Sequence, residues 1–244
     1  MLIYIFCGII IILIFRKFEI SLSGFNHEIA KNFWRSGKWL ILYELFLLVN
    51  MRLDFFLLTK YYSGEILGQY SVALKLVNIF AVLVGTFSVL LLPKASSMQN
   101  TEDLRKYWID NRRIIIFLLL SWVATFCFAP FIVTVLYGTQ YSQAVPILRI
   151  LLFSVLTLIF FIPLMYIFMA VKKIYYLSNI AVIQTFSLLL IIPLFIKKMG
   201  MIGCAYGKAI SFFITLVIYS FMYINRKKYI LENLESRNKD KAKY

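Results

Sequence analysis

Six ionisable side chains lie inside otherwise apolar stretches of this 244-residue chain, and they are the first candidates for chemistry. They are Glu44, Arg52, Asp54, Lys75, Arg149 and Lys208. A charge within a hydrophobic stretch is expensive, so such residues usually face a bundle interior or a water-filled cavity, where they bind ions, protons or substrates. The set therefore predicts a polar pathway through an apolar body.

Helical periodicity of about 100° per residue sorts these charges by face. One stripe comprises Tyr43, Leu47, Asn50 and Asp54. A second comprises Ser71, Lys75, Asn78, Val82 and Gly85. A third comprises Cys204, Lys208, Ser211, Thr215 and Tyr219. Each stripe joins a charge to small or hydrogen-bonding residues, which predicts that it faces a wet cavity rather than lipid.

The remaining charges admit plainer interpretations. Arg52 is two residues from Asp54 and so lies on nearly the opposite face, while Arg149 lies on an apolar stripe. Both are close enough to the ends of their stretches to extend to lipid headgroups. Lys75 and Lys208 could do the same or neutralise an acidic neighbour. Asp54 could form a structural ion pair with Lys75, which would be compatible with a transport role.

The composition requires a lipid solvent. Hydrophobic residues make up 62% of the chain and charged residues 15%, against about 45–50% and 25% in soluble domains. The net charge of +15 comes from short basic clusters between apolar runs, which argues against a nucleic-acid partner. The three cysteines and single histidine form no metal or redox motif, so the sequence predicts no disulfide, metal or cofactor.

Seven apolar stretches indicate the fold class. The first is Met1–Phe15, and the others are roughly Trp39–Leu58, Gln69–Leu92, Ile114–Leu136, Val145–Ala170, Tyr176–Ile196 and Met201–Ile224. A helix of about 20 residues crosses the hydrocarbon core, and lipid requires backbone polar groups to pair within the segment. We therefore predict an all-α integral membrane bundle of six full transmembrane helices plus one partial N-terminal helix.

The predicted organisation follows from these stretches and from the basic residues between them. Residues 1–15 form the partial helix, 16–38 a cytoplasmic loop with an interfacial helix, 39–224 the six-helix lobe and 225–244 a cytoplasmic tail. Nineteen lysines and arginines fall in the loops and tail on one side, against Lys60, Lys197 and Lys198 on the other. The positive-inside rule then places the N-terminus outside and the C-terminus in the cytoplasm.

Local patterns in a fixed order resemble a known family. They are Leu53-Asp54, the segment Gly68–Lys75, Leu136-Tyr-Gly138 and the segment Gly200–Ala205. Together they resemble the C-terminal half of the polysaccharide flippases, the O-antigen and capsule repeat-unit exporters of the multidrug/oligosaccharidyl-lipid/polysaccharide exporter superfamily. The resemblance covers residues 33–225. It implies two six-helix lobes around a central cavity, with an N-terminal lobe as partner in cis or in trans.

The resemblance implies a transporter rather than an enzyme, located in a bacterial or archaeal cytoplasmic membrane. Its substrate would be an oligosaccharide linked to polyprenyl pyrophosphate, moved by alternating access. The expected partners of the pyrophosphate are Lys75 and Lys208, with Arg52 and Arg149. The expected partners of sugar hydroxyls are Asn50, Asn78, Ser211, Thr215 and Tyr219. Asp54 or Glu44 would couple transport to an ion.

Three alternatives remain open at this point. A drug/cation antiporter of the same superfamily would favour an acidic cavity, and the excess of cations counts against it. A membrane-embedded sugar polymerase or glycosyltransferase would need catalytic residues on a sizeable loop outside the bilayer, and the outer loops are short. The chain could also be an inactive membrane fragment.

Overall fold

The computed structural model describes residues 27–98, 100–171 and 174–241. The regular secondary structure in these ranges is helical. The predicted partial helix, Met1–Phe15, lies outside these ranges. The chain divides into two units, Met1–Lys38 and Trp39–Tyr244. In the first unit, residues 27–38 are helical. All further description concerns the second unit.

The element order follows the apolar stretches closely. The helices are α1 (His27–Thr59), α2 (Glu65–Ser88), α3 (Leu91–Ser97), α4 (Thr101–Cys127), α5 (Ala129–Tyr137), α6 (Ala144–Ala170) and α7 (Ile174–Lys241), with a 3-10 turn at Thr139–Tyr141. Residues 27–38, where the sequence predicts an interfacial helix, are helical, and the predicted division into loop, lobe and tail stays a prediction.

Two breaks have identifiable causes. Helices α4 and α5 meet at Phe128 with a bend of 66°. Pro130 lies in the first turn of α5, where its missing N–H leaves no intrahelical hydrogen bond unmade. Helix α7 is interrupted at Gly200, whose φ of 63° belongs to the left-handed region, which glycine adopts without steric cost.

The two parts of α7, residues 174–199 and residues 201–241, form an antiparallel pair, here called its first and second halves. A Cβ atom on Gly203 would overlap the backbone carbonyl oxygen of Phe195, and one on Gly207 would lie 3.1 Å from the Cα of Ile192. Contacts thus move backwards along the first half as they move forwards along the second. The small-residue spacing Gly203-x-x-x-Gly207 allows this close backbone approach, as at helix interfaces in membranes.

The number of membrane crossings agrees only partly with the sequence. Three helical stretches are long and apolar enough to span, and a fourth is possible if the bent pair α4–α5 is one span. They are Glu65–Ser97, Ala144–Ala170 and Ile174–Lys227, the last of which contains the break at Gly200. Helix α1 is not among them, and it carries Glu44, Arg52 and Asp54. The six full spans therefore remain a prediction.

Helix α6 is the centre of the second unit. Its most apolar stretch is 50% buried, against 29% and 33% for the other two spanning stretches, and it packs against α2, α3, α4, α5 and α7. One apolar core surrounds its first half, around Leu148, Leu151 and Leu152. A second core surrounds its last turns, around Ile167 and Phe168.

The predicted orientation can be tested by labelling. In a cysteine-free variant with single cysteines placed at Ser63 or Ser236, an impermeant thiol reagent added to intact cells should label position 63 and miss position 236. Ser63 is exposed in the α1–α2 connection, so the reagent can reach it if that connection is outside. Labelling of position 236 alone would reverse the topology.

Candidate functional site

A cavity of about 470 Å³ lies between α1, α2, α6 and the two halves of α7. Its polar lining comes from all five pieces and comprises Tyr43, Glu44, Asn50, Asn78, Ser154, Thr157, Tyr166, Gln184, Lys208, Thr215 and Tyr219. On the second half of α7 the lining runs from Lys208 to Tyr219, about 16 Å at 1.5 Å per residue. The cavity, here called the groove, thus extends from Lys208 to an aromatic end around Tyr43 and Tyr219, where Glu44 also borders it.

Two of the three predicted stripes face the interior of the unit. On α1, Tyr43, Asn50 and Asp54 are all buried. On the second half of α7, the whole predicted stripe is buried: Cys204, Lys208, Ser211, Thr215 and Tyr219. Ser211 lies behind the cavity rather than along it, and its hydroxyl has no hydrogen-bond partner among the described residues.

The stripe predicted on α2 reaches this cavity only in part. Lys75 and Val82 are exposed, whereas Asn78 lines the cavity as predicted. The reason is that α2 turns its apolar stripe towards the core, with Tyr70, Ala73, Val77, Phe80 and Val84 at spacings of three and four residues. Burial of that stripe places Lys75 on another face, so its role in binding substrate stays a prediction.

At the Lys208 end of the groove lies a buried ion pair. The amine of Lys208 lies 2.8 Å from Oδ2 of Asp54, and their side chains are 7% and 0% exposed. The hydroxyl of Tyr70 donates to the same oxygen at 2.8 Å. The predicted pair between Asp54 and Lys75 is therefore wrong, because the second half of α7 brings Lys208 to this carboxylate.

The surroundings of Asp54 are asymmetric. Its Oδ2 accepts two hydrogen bonds, while Oδ1 is buried without a partner among the described residues. The thiol of Cys204 lies 3.5 Å from the Tyr70 hydroxyl oxygen and 3.6 Å from the backbone carbonyl oxygen of Asp54. Asp54 itself is absent from the cavity wall, so Lys208 separates it from the groove.

The other predicted charges lie apart from the ion pair. Arg52 is exposed on α1, as expected from its opposite face. Arg149 is half-buried, where its guanidinium donates to the Phe126 carbonyl at 3.3 Å and lies over the Phe126 ring. Glu44 is exposed and borders the groove. Only Lys208 among the predicted cations therefore lines the cavity.

Sequence reasoning missed the polar residues on the first half of α7. Thr185 donates to Oδ1 of Asn50 at 2.7 Å. The Nδ2 of Asn50 lies 3.5 Å from both the Ala181 carbonyl and Oε1 of Gln184, which is at the limit of a hydrogen bond. The sequence does carry a signal for these residues, because Gln184 and Thr185 are adjacent polar residues within an otherwise apolar run. Asn50 is thus fixed at its oxygen and can donate to a ligand through its nitrogen.

The far end of the groove is aromatic and sulfur-rich. The Tyr43 hydroxyl lies 3.1 Å from the sulfur of Met165. Phe161 packs edge-on against Tyr219 with ring centroids 4.3 Å apart. Met169 adds further adaptable apolar surface. Within the described ranges, His, Cys, Asp and Glu form no group of three or more that could hold a metal ion.

A family model described as "polysaccharide biosynthesis protein" matches residues 1–146. The chain belongs to that family. The match covers the α1 and α2 walls of the groove and the buried Asp54 behind Lys208, and it ends near the start of α6. Searches of curated proteins and of solved structures returned no significant match. Membership in the polysaccharide biosynthesis family and the apolar helices identify a multi-pass membrane protein.

Proposed function

We propose that this chain is the C-terminal lobe of a flippase that moves polyprenyl-pyrophosphate-linked oligosaccharide across the cytoplasmic membrane by alternating access. The proposal is carried by one observation: a member of a polysaccharide biosynthesis family contains a groove that combines a lysine, hydrogen-bonding side chains and aromatic walls. A lipid-linked sugar phosphate presents those three chemistries together. The chain acts as a carrier and not as an enzyme.

Each part of the groove has a matching part of the substrate. The amine of Lys208 binds a phosphate oxygen, since a lysine supplies a compact charge with several donors. Asn50, Asn78 and Thr215 hydrogen-bond sugar hydroxyls. Tyrosine and phenylalanine rings such as those of Tyr219 and Phe161 pack against apolar faces. The groove volume of about 470 Å³ falls in the range of small-molecule sites, so it holds the phosphate and the adjoining sugar rather than the whole glycan.

The cations outside the groove act at a distance in this proposal. Arg52 and Lys75 are exposed and Arg149 is half-buried, so they raise the local concentration of an anionic substrate instead of contacting it in the groove. Such a field acts mainly on association and weakens with salt. Ser211 hydrogen-bonds a sugar only if the second half of α7 rotates, and Asp54 or Glu44 couples the cycle to an ion.

Six crossings form part of the same proposal. The stretch Ile174–Lys227 contains 54 residues, about 80 Å of helix, which is far more than the roughly 30 Å hydrocarbon core. The reversal at Gly200 divides it into two crossings. Together with α1, α2–α3, α4–α5 and α6 this makes six, with the C-terminus in the cytoplasm. An N-terminal lobe, in cis or in trans, completes the cavity.

Replacement of Lys208 at the native chromosomal locus tests the proposal. Lys208→Met should lower surface glycan by about tenfold or more, because losing one partner of a desolvated charge contact costs about 2–5 kcal/mol. Lipid-linked precursor should accumulate in the membrane at the same time. Surface glycan is measured by lectin or antibody staining, and precursor by lipid extraction.

The matched control is Lys198→Gln, which removes an exposed lysine from the same helix α7 and should leave surface glycan at the wild-type level. Normal export by a Lys208→Met protein that is present in normal amount in the membrane would refute the role of the groove as the anion site.

A drug/cation antiporter is the second candidate, and one observation favours it. Glu44 borders the groove, while the charge of Lys208 is balanced by Asp54, so the groove is not strongly cationic. Deleting the gene should then raise sensitivity to cationic drugs while surface glycan stays normal, with Glu44→Gln reproducing the effect. The flippase proposal expects the reverse pattern in the deletion strain.

A further inference from the structure

Among the described residues, Lys208 is the cation that lines the groove, and its amine is engaged in the ion pair with Asp54. Lys208 reaches the groove wall and Asp54 does not, although their charged atoms are 2.8 Å apart. We propose that Asp54 is an internal competitor for Lys208, and that an anion bound in the groove is accompanied by a proton taken up by Asp54. This rests on the proposed function in one respect, that the groove receives an anionic group.

The first step is that the two partners differ in freedom. A lysine carries its charge on a flexible four-carbon stem, so the amine of Lys208 can turn from the carboxylate to a ligand in the groove beside it. Asp54 has a short side chain with 0% exposure and cannot follow. A bound anion and Asp54 therefore compete for one amine.

The second step concerns what Asp54 keeps when Lys208 turns away. Its Oδ1 has no partner among the described residues. Its Oδ2 would retain only the Tyr70 hydroxyl. In the described part of the chain, the titratable groups around Asp54 are Tyr70 on α2 and Cys204 and Lys208 on the second half of α7. None of these except Lys208 is a cation.

A buried carboxylate without a partner takes up a proton rather than staying charged, because the free-energy cost of burying an unpaired ion is very large. Release of Lys208 therefore goes with protonation of Asp54. The proton comes from a hydronium ion or a buffer acid in solution: the donor's bond to that proton breaks as an O–H bond forms on the carboxyl group of Asp54.

The third step is the sign of the coupling. The anion draws Lys208 away from Asp54, and the proton neutralises Asp54 and so releases Lys208. Each therefore favours binding of the other, and linkage makes the effect reciprocal. Anion affinity should then rise as the pH falls. Asp54 thus binds a proton when the anion binds. A carboxylate that released a proton when the anion bound would show the opposite behaviour.

Sulfate is a suitable probe because it remains a dianion between pH 5.5 and 8. With the purified full chain in lipid nanodiscs, Asp54→Asn should bind sulfate about tenfold or more tightly than wild type at pH 7.5, within the usual range of such couplings. Wild-type affinity should approach that of Asp54→Asn as the pH falls, while the affinity of the variant stays constant. Lys208→Met should abolish binding in either background.

A second readout and two further variants isolate the carboxylate responsible. In weak buffer, wild type should take up a proton on binding sulfate and Asp54→Asn should not. Glu44→Gln removes the carboxylate that borders the groove and should retain the pH dependence. Tyr70→Phe keeps both charges of the pair but removes a donor to Asp54, so the rise in affinity should move to higher pH. This variant decides the matter if Asp54→Asn does not fold.

Each outcome bears on one proposal. Equal or weaker sulfate binding by Asp54→Asn at pH 7.5, or an unchanged pH profile in Tyr70→Phe, would overturn the competition and make Asp54 a positioning residue. The flippase proposal would survive that result, because it requires only that Lys208 bind an anion. Sulfate binding that Lys208→Met leaves intact would instead contradict the anion site itself.

Discussion

Replacing Lys208 by methionine should destabilise the protein by about 3–5 kcal/mol, whereas replacing Lys208 and Asp54 together should leave stability near wild type. The single change leaves the Asp54 carboxyl group at 0% exposure without the cationic partner that it has among the described residues, and the loss of one partner of a buried pair carries that penalty. Exchanging both partners for uncharged groups of similar size removes the desolvation cost along with the attraction, which is often neutral or stabilising.

The two single variants should differ, because the two partners are not equally enclosed. Asp54→Asn leaves an amine that borders the groove and can be hydrated there, so its destabilisation should be smaller than that of Lys208→Met. The free energy of unfolding can be measured by SDS titration in mixed micelles with tryptophan fluorescence as the signal. If the two single variants and the double variant Asp54→Asn/Lys208→Met all lost the same free energy of unfolding, the asymmetry would be contradicted.

In the double variant, stability should be retained while glycan export is lost. It should fold as wild type does, yet fail to export glycan, because the groove has lost its cation. A stable but inactive double variant distinguishes a functional ion pair from a structural one. Recovery of export along with stability would assign the pair to folding alone.

The faces of two helices could be predicted from the sequence because their polar residues repeat at helical spacing. Asp54 and Asn50 on α1, and Lys208 and Thr215 on the second half of α7, are all buried as that spacing predicts. Periodicity gives a face but not the neighbour that covers it. Whether Asp54 meets Lys75 or Lys208 depends on how far the second half of α7 lies from α1, which no local pattern encodes.

The stripe on α2 shows the limit of the same reasoning. Lys75 and Asn78 share a polar side of the helix, but the opposing stripe around Ala73 and Val77 buries more apolar surface. Packing of that stripe against α6 fixes the rotation of α2, and only Asn78, at the margin, reaches the groove. A polar stripe faces a cavity only where the apolar stripe of the same helix permits it.

The helical character of the apolar stretches was predictable, whereas the breaks were predictable only where a residue enforces them. Pro130 marks the bend between α4 and α5. Gly200 marks the reversal in α7 through its positive φ. The continuity of α1 from His27 across the polar residues before Trp39 was not predicted, because a charged segment is as compatible with a loop as with a helix that extends beyond the bilayer.

Substituting alanine for Gly203 should destabilise the protein by about 1–3 kcal/mol or more, the range observed for overpacked interiors. The added Cβ would overlap the carbonyl oxygen of Phe195 on the first half of α7, and a backbone atom cannot move aside as a side chain can. The two halves would have to separate. That separation would move Cys204 and Lys208, which lie one and five residues further along, away from Asp54.

The sign of this effect is informative, because alanine is otherwise the better helix former by about 1 kcal/mol. Gly85→Ala on α2 is the matched control, since a Cβ there meets nothing within 4 Å and the change should be neutral or stabilising. SDS unfolding of the two purified variants measures the difference, and surface glycan from the native locus reports whether Lys208 keeps its place. Stabilisation by Gly203→Ala equal to that of Gly85→Ala would mean that the two halves of α7 do not pack at Gly203, and the placement of Lys208 beside Asp54 would lose its support.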